Sequence, residues 1–297
     1  MGKVIENRYD FVLYYDIENG NPNGDPDAGN MPRVDVETGH GIVTDVCIKR
    51  KIRNYVETVR EGEPGFEIYI KDGVPLNTSD KRAFDELKID PGQIKKLKTS
   101  DPELDVKIRD CMCKTFFDVR TFGAVMTTFV KNNLNCGQVR GPVQITFSKS
   151  VDPIPQQEVT ITRVAITTEG DAARKGTEMG RKYIVPYALY RCEGFVSANL
   201  ARRVTHFSED DLELLWESLI NMFEIDHSAA RGKMAVRALV VFKHDSEFGN
   251  APSHKLFELV HTQKREGVDY PRSFSDYEEI VIDESLIPEG VQVIRKA

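Results

Sequence analysis

Several signatures are missing from this 297-residue chain, and each absence removes a class of function. There is no P-loop, no G-x-S-x-G nucleophile elbow and no dinucleotide-binding fingerprint, so the common nucleotide and acyl-transfer chemistries have no motif to stand on. The five cysteines (47, 111, 113, 136 and 192) form no C-x-x-C pair. They fit buried reduced thiols and exclude a disulfide framework or structural zinc site as the organising element. The histidines at 40, 206, 227, 244, 254 and 261 show no metal-ligand spacing. No segment approaches the length of a membrane span, and the N-terminal residues lack the apolar run of a signal peptide, so the expected location is the cytoplasm, with no membrane partner. Excess positive charge is absent too. The formal net charge is −7, which argues against a generic nucleic-acid coat but leaves room for local basic tracks.

With 40% hydrophobic residues, the chain can bury a substantial core as one elaborated domain or two interlocked ones. The apolar run Phe11-Val12-Leu13-Tyr14-Tyr15 predicts a strand over 8–17. It opens directly onto Asn19-Gly-Asn-Pro-Asn-Gly-Asp-Pro-Asp-Ala-Gly-Asn30. Gly and Asn tolerate positive φ and Pro fixes its own, so this segment extends neither helix nor strand. It reads either as a polar surface loop or as a backbone-exposing cradle for phosphates. Thr44 then caps a predicted helix to about Arg60, with Ile48, Ile52, Tyr55, Val56 and Val59 as its apolar stripe. Lys49, Arg50, Arg53 and Arg60 lie on the other side, with Lys51 flanking. Such a face is either solvated surface or a phosphate track.

Residues 61–118 read as a small helical insertion, in which Asp101-Pro102-Glu103 has the form of a helix start. Val143, Ile145 and Phe147 alternate in a predicted strand over 141–150. Val159 to Val185 reads as a projecting hairpin or loop, locally basic through Arg163, Arg174, Lys175, Arg181 and Lys182. A strand at 187–198 leads to a cap at Ser208 and a helix whose stripe (Leu212, Leu215, Trp216, Leu219, Ile220, Phe223) is core. Ala238–Phe242 is a buried strand, and Val281 and Val291–Ile294 suggest edge strands. Strand, helix, strand at this spacing, joined to the strand and helix of 8–60, predicts an α+β, ferredoxin-like sheet. The segment beginning at Arg191 matches an RNA-recognition strand at Arg191, Gly194, Phe195 and Val196 but lacks the base-stacking aromatics at 193 and 198. It therefore supports the sheet topology more than the usual binding face.

For catalysis, Asp25, Asp27 and Asp35 cluster in and after the first loop and could hold a divalent metal for phosphodiester cleavage, although Asp-Pro and Gly-Asp are also ordinary turn chemistry. His227 is a weaker acid/base candidate. No cofactor is called for.

Four segments together resemble one family: Tyr14–Asp25, Asp118–Ala124, Gly137–Gln144 and Ala229–Gly232. They are similar to the repeated backbone subunit of CRISPR Cascade complexes, most closely the type I-C version, within the repeat-associated mysterious protein (RAMP) superfamily. The resemblance implies a modified RNA-recognition-motif palm formed by 1–60, 119–151 and 187–297, a helical fingers insertion at 61–118 and a protruding thumb hairpin at 152–186. It implies a non-catalytic role: copies of the chain stack in a helical filament along a CRISPR RNA and present it for pairing with target DNA in antiviral defence. Guide-processing and large Cascade subunits and a recruited helicase-nuclease would be further partners. Asn19, Asn21, Asn23 and Gly24 would meet phosphates, helped by Lys49, Arg50, Arg53, Arg120, Arg163, Arg174, Lys175, Arg181, Lys182 and Arg231. Met179 would be the apolar wedge that displaces a nucleotide, with Val164 and Ile166 as alternatives. The competing reading is a type III-like backbone subunit that cuts target RNA with a metal-assisted aspartate among Asp25, Asp27 and Asp35.

Overall fold

The computed structural model describes residues 2–126, 129, 136–172 and 176–297. Along the chain, β1 (Tyr9–Gly20) is followed by β2 (His40–Val43) and α1 (Asp45–Val59). The helical region holds α2 (Leu76–Glu86), α3 (Ile94–Ser100), α4 (Leu104–Thr115) and α5 (Phe117–Phe122). Then come β3 (Val143–Ile145), β4 (Ser148–Pro153), β5 (Gln157–Arg163) and β6 (Glu178–Val196). The last part has α6 (Glu209–Asn221), β7 (Lys233–His244), α7 (Ser253–Glu258) and β8 (Val291–Arg295).

The main sheet is antiparallel, in the order β8-β7-β1-β6-β4-β2, with β3 also on β6. Strand β1 sits at its centre and is buried over its first nine residues. Tyr9, Phe11, Leu13, Tyr15 and Ile17 pack with Ile48, Ile52 and Val56 of α1 and Leu212, Leu215, Trp216 and Leu219 of α6. Val12 and Tyr14 point the other way, into a core shared with Leu256, Phe257, Val260, Tyr277, Ile280 and Ile282. Both faces are covered, which is why β1 reads as a continuous apolar run instead of an alternation. The segment after about 250 is thus a lid over the second face of the sheet, a role its sequence did not announce.

Several expectations shift in detail. The strand expected at 187–198 begins instead at Glu178, so that the second arm of the projecting hairpin and a central sheet strand are one continuous element. Helix α4 starts at Leu104 without a side-chain cap. Asp101 spends its carboxylate on a preceding turn (Glu103 N–H, 3.2 Å) and on Lys107 (2.6 Å). Val59 ends α1 exposed, and Phe147, expected inside, is 59% exposed. Of the two suggested edge strands, Val291–Arg295 does border the main sheet, whereas Val281–Ile282 pairs with Val260–His261. The helical insertion has its own core of Tyr69, Phe84, Ile94, Leu104, Ile108, Met112 and Phe116. That core also takes Met126, Phe129, Cys136 and Val139, so packing continues past residue 118.

The cysteines are free, and four of the five are buried. Burial pushes the thiols of Cys113, Cys136 and Cys192 up to about 12 from an ordinary value of 9.0. The native state keeps these protons where the unfolded chain loses them, so their contribution is complete below about pH 9 and declines as the pH rises toward 12. We expect the urea midpoint to fall between pH 8 and pH 10.5, and to fall less in Cys192→Ala; an equal fall in the variant would remove Cys192 from the account.

Candidate nucleic-acid interface

At the end of β1, Asn19 turns the chain with a φ of 52°, and its side chain is exposed. The next residues are fastened from within. Asn21 donates its backbone N–H to the carbonyl of Ala230 (2.8 Å) and its side-chain amide to the carbonyl of Asn30 (2.7 Å). The Asn23 side-chain oxygen accepts from the backbone N–H and the hydroxyl of Thr44, both at 3.0 Å. Thr44 in turn accepts from Cys47 N–H and caps α1, as its sequence predicts. Gly24 leaves no space for a Cβ beside the Asn30 side chain. The amides of Asn21 and Asn23 therefore shape the loop, and Asn19 is the one whose side chain remains outward.

The loop is locked against Ala229–Gly232, a segment remote in sequence. A Cβ on Gly20 would fall on the carbonyl of Arg231, and one on Gly232 (φ 65°) on the carbonyl of Glu18. Arg231 pairs with Asp226 at 2.6 Å, and the buried Lys51 ammonium bonds the other oxygen of the same carboxylate. Lys182, at the base of the hairpin, donates to the carbonyl of Ala229 (3.0 Å). Strand exit, helix start, hairpin base and the 226–232 loop thus converge on one platform, where a single carboxylate faces two cations.

The basic face of α1 is divided. Lys49 pairs with Asp45 (2.8 Å) and lies over the Phe122 ring, while Arg50 reaches the carbonyl of Ile70 (2.8 Å). Arg53 is no surface cation. It is 6% exposed, with Nε 2.7 Å from Asp118, whose carboxylate also accepts from the N–H groups of Tyr69 and Ile70. Arg120 is likewise corrected. At 3% exposure it forks onto Asp211 (2.9 and 2.7 Å) and donates to the carbonyls of Cys113 and Gly65. The reasons differ in place but not in kind: α5 and the 69–70 segment cover Arg53 on α1, and Arg120 of α5 is enclosed between the insertion and α6, so both guanidinium groups act inside the fold and offer nothing to a phosphate. The other resembling segments lock in the same manner. Gly123–Val125 pairs with Gln138–Arg140, and a Cβ at Gly123 or Gly141 would strike the opposing backbone.

The hairpin carries its charges outward. Arg163 donates to hairpin groups (the Ala165 carbonyl, 2.9 Å, and the Thr167 hydroxyl, 2.6 Å), and Arg181 pairs with Glu158 at 3.2 Å. Met179 and Val164 are 75% and 82% exposed near its tip, whereas Ile166 is half-buried. Arg174 and Lys175 lie outside the described residues.

The acids of the first loop do not converge. Asp25 accepts from Asp27 N–H (3.1 Å) and pairs with Arg33 (3.3 Å). Asp35 accepts from the N–H groups of Glu37 and Thr38, which hold its carboxyl below the usual range. Among the described residues no group of three His, Cys, Asp or Glu could hold a metal, and His227 sits in an exposed loop. No described helix is long and apolar enough to cross a membrane.

Over its central strands, the face used by ordinary RNA-recognition sheets is covered. Arg191, from the partial signature, donates to the carbonyls of Val260 (2.5 Å) and Phe257 (2.6 Å) and pairs with Glu193 (3.0 Å), fastening the C-terminal lid. Lys51 and Asp226 were not singled out as platform residues by the sequence. Ala229–Gly232 entered only as part of the family resemblance, and the Asn/Gly loop stood out by composition.

The profile of the family described as CRISPR-associated protein Cas7 matches residues 7–283. The chain belongs to the Cas7 family. It is 25% identical over 303 residues to a CRISPR-associated protein Cas7 of Haloferax volcanii, covering 96% of this chain and 83% of that one. In three dimensions it resembles a chain of a solved "CRISPR RNA-guided surveillance complex, pre-nicking" with TM-score 0.50 and 14% identity, over 79% of this chain and 78% of the other. A chain of a second "CRISPR RNA-guided surveillance complex" aligns with TM-score 0.44 and 16% identity, over 79% and 68%. The first likeness shows a common fold.

Removing one partner of a buried pair leaves the other charge uncompensated, at a cost of about 3–5 kcal/mol. Arg120→Ala is expected to lose stability of that order in urea denaturation, with Asp211 stranded. A loss of less than about 1 kcal/mol would show that water reaches the carboxylate.

Proposed function

We propose that this Cas7-family chain is the non-catalytic, CRISPR RNA-binding backbone subunit of a type I-C Cascade complex, working in the cytoplasm. The strand order β7-β1-β6-β4, with α1 and α6 as crossovers, is read as the modified RNA-recognition-motif palm. The helical insertion is the fingers and the β5/β6 hairpin the thumb. Copies stack as a helical filament along the guide, and other Cascade subunits and a helicase-nuclease join them when target DNA pairs with it. The observation that carries this reading is the platform at the palm edge, where Asn19, Lys51, Lys182, Arg231 and the Asp226 carboxylate meet. It is built from backbone, ammonium and guanidinium groups and contains no arrangement suited to reading base edges. A subunit that must accept any guide sequence needs that kind of grip.

The residues proposed to meet phosphates are Asn19, Lys49, Arg50, Arg163, Arg181, Lys182 and Arg231. Arg53 and Arg120 hold the elements that present them. Single-stranded RNA binding should weaken steeply with salt, with a slope of about −0.7 per neutralised phosphate. Arg163→Ala/Arg181→Ala/Lys182→Ala should flatten that slope by about two to three units and weaken binding at least about tenfold at low salt. Labelled RNA of about thirty nucleotides titrated across a salt series reads both. Unchanged affinity and slope would reject the hairpin as part of the grip.

Non-catalysis is tested separately. Asp25 and Asp35 are engaged by their own turns and by Arg33 and, at 3.8 Å, Lys149, which leaves the exposed Asp27 unsupported by a second acid. We expect complementary RNA to survive incubation with magnesium, and Asp27→Ala to bind guide RNA like the wild type. Magnesium-dependent fragments that vanish in Asp27→Ala would replace the proposed function with the cleaving one.

A further inference from the structure

Phe147 is exposed because the sheet carries one extra residue beside it. Ile145 faces Gly194 and Lys149 faces Arg191, so four steps along the first strand oppose three along β6. This is a β-bulge, and it switches which residues point inward: Val143 and Ile145 are buried before it, Ser148 and Ser150 after it. Phe147 and Lys149, which an unbroken strand would send inside with Ile145, are both turned out. Thr146 pins the bulge, with its N–H 2.8 Å and its hydroxyl 3.1 Å from the Glu193 carbonyl.

The re-aimed side chains border an open cleft of about 500 Å³, with Tyr14, His40, Arg191, His261 and Thr262 on its other walls. His40 donates from Nδ1 to the Ser150 carbonyl (2.7 Å), since a carbonyl only accepts, and in the neutral ring this leaves Nε2 as an acceptor. Lys149 has its closest carboxylate, Asp35, at 3.8 Å, so its ammonium is lightly held. The one acid in the wall, Glu193, is neutralised by Arg191. The cleft therefore combines an exposed aromatic plane, a nearly free ammonium two residues along the same strand and an imidazole acceptor, in a volume suited to one small ligand unit.

We propose that this cleft is a nucleotide subsite for single-stranded nucleic acid, in which a base stacks on Phe147 while Lys149 meets the adjoining phosphate. It lies on the second face of the sheet beside the C-terminal lid, running from Tyr14 of β1 across Arg191 of β6 and Lys149 of β4 to His40 of β2. An acidic peptide would satisfy Lys149 but make no use of the ring, whereas every base has a face to stack on it. The inference rests on the RNA-binding reading above. The nucleotide can belong to the guide itself or to a second strand paired with it.

The test uses the full chain and a labelled single-stranded RNA of about thirty nucleotides across a salt series, then a complementary DNA strand added to the RNA-loaded protein. Phe147→Ala should weaken binding about tenfold with the salt slope unchanged, and Phe147→Tyr should restore it. Lys149→Ala should reduce the slope by about one. An effect of Phe147→Ala on the first titration assigns the guide; an effect confined to capture of the DNA strand assigns the second strand. Wild-type affinity and slope for Phe147→Ala and Lys149→Ala in both titrations, while the hairpin triple variant loses RNA, would overturn the subsite and leave the proposed function standing. Failure of the wild type to bind RNA at all would overturn both.

Discussion

The constraint on which the rest depends is that the central sheet is closed on both faces. Helices α1 and α6 cover one side, and the segment from about 250 to 287 covers the other, fastened by Arg191 to the carbonyls of Val260 and Phe257. A sheet in this state offers a ligand only its edges, its loops, its projecting hairpin and the cleft left beside the C-terminal lid. The polar groups that keep some exposure gather there: Asn19, Arg231, Lys182, and the side chains turned out by the bulge at 146–147.

The family-like segments are, in physical terms, mostly closures between distant backbones. Gly20 and Gly232 let two chain segments meet with no room for a methyl group, and Gly123 and Gly141 do the same beside the helical insertion. Asp118 and Arg120 lie in buried pairs with Arg53 and Asp211. A residue that resembles a recognition motif can therefore serve recognition by placing the loop that performs it.

Much of the fold was legible in the chain because local rules and tertiary packing agreed. The cap at Thr44, the stripe of α1, the Ser208 capping box with Asp211 and the apolar run of β7 all signal themselves within a few residues. What failed to show was set by partners far away in sequence. Arg53 read as a surface cation because a helical wheel cannot see what packs onto its polar side, and Arg120 was taken from the resemblance alone, which does not reveal its buried partner Asp211. Phe147 read as core because alternation assumes an unbroken register, and a bulge is decided by the opposing strand. The platform was half visible: the Asn/Gly loop stood out by composition, but its junction with Ala229–Gly232 and the sharing of Asp226 between Lys51 and Arg231 depend on the folded topology.

Strand β6 runs without interruption for 19 residues, from the hairpin into the middle of the sheet. At about 3.3 Å per residue this is a beam of about 60 Å, anchored over half its length by the ladder to β1. Its hairpin pairs end at Ile184 and its ladder to β1 begins at Val185, so no loop separates the projecting arm from the sheet: wherever the arm goes, its direction is set from the middle of the molecule.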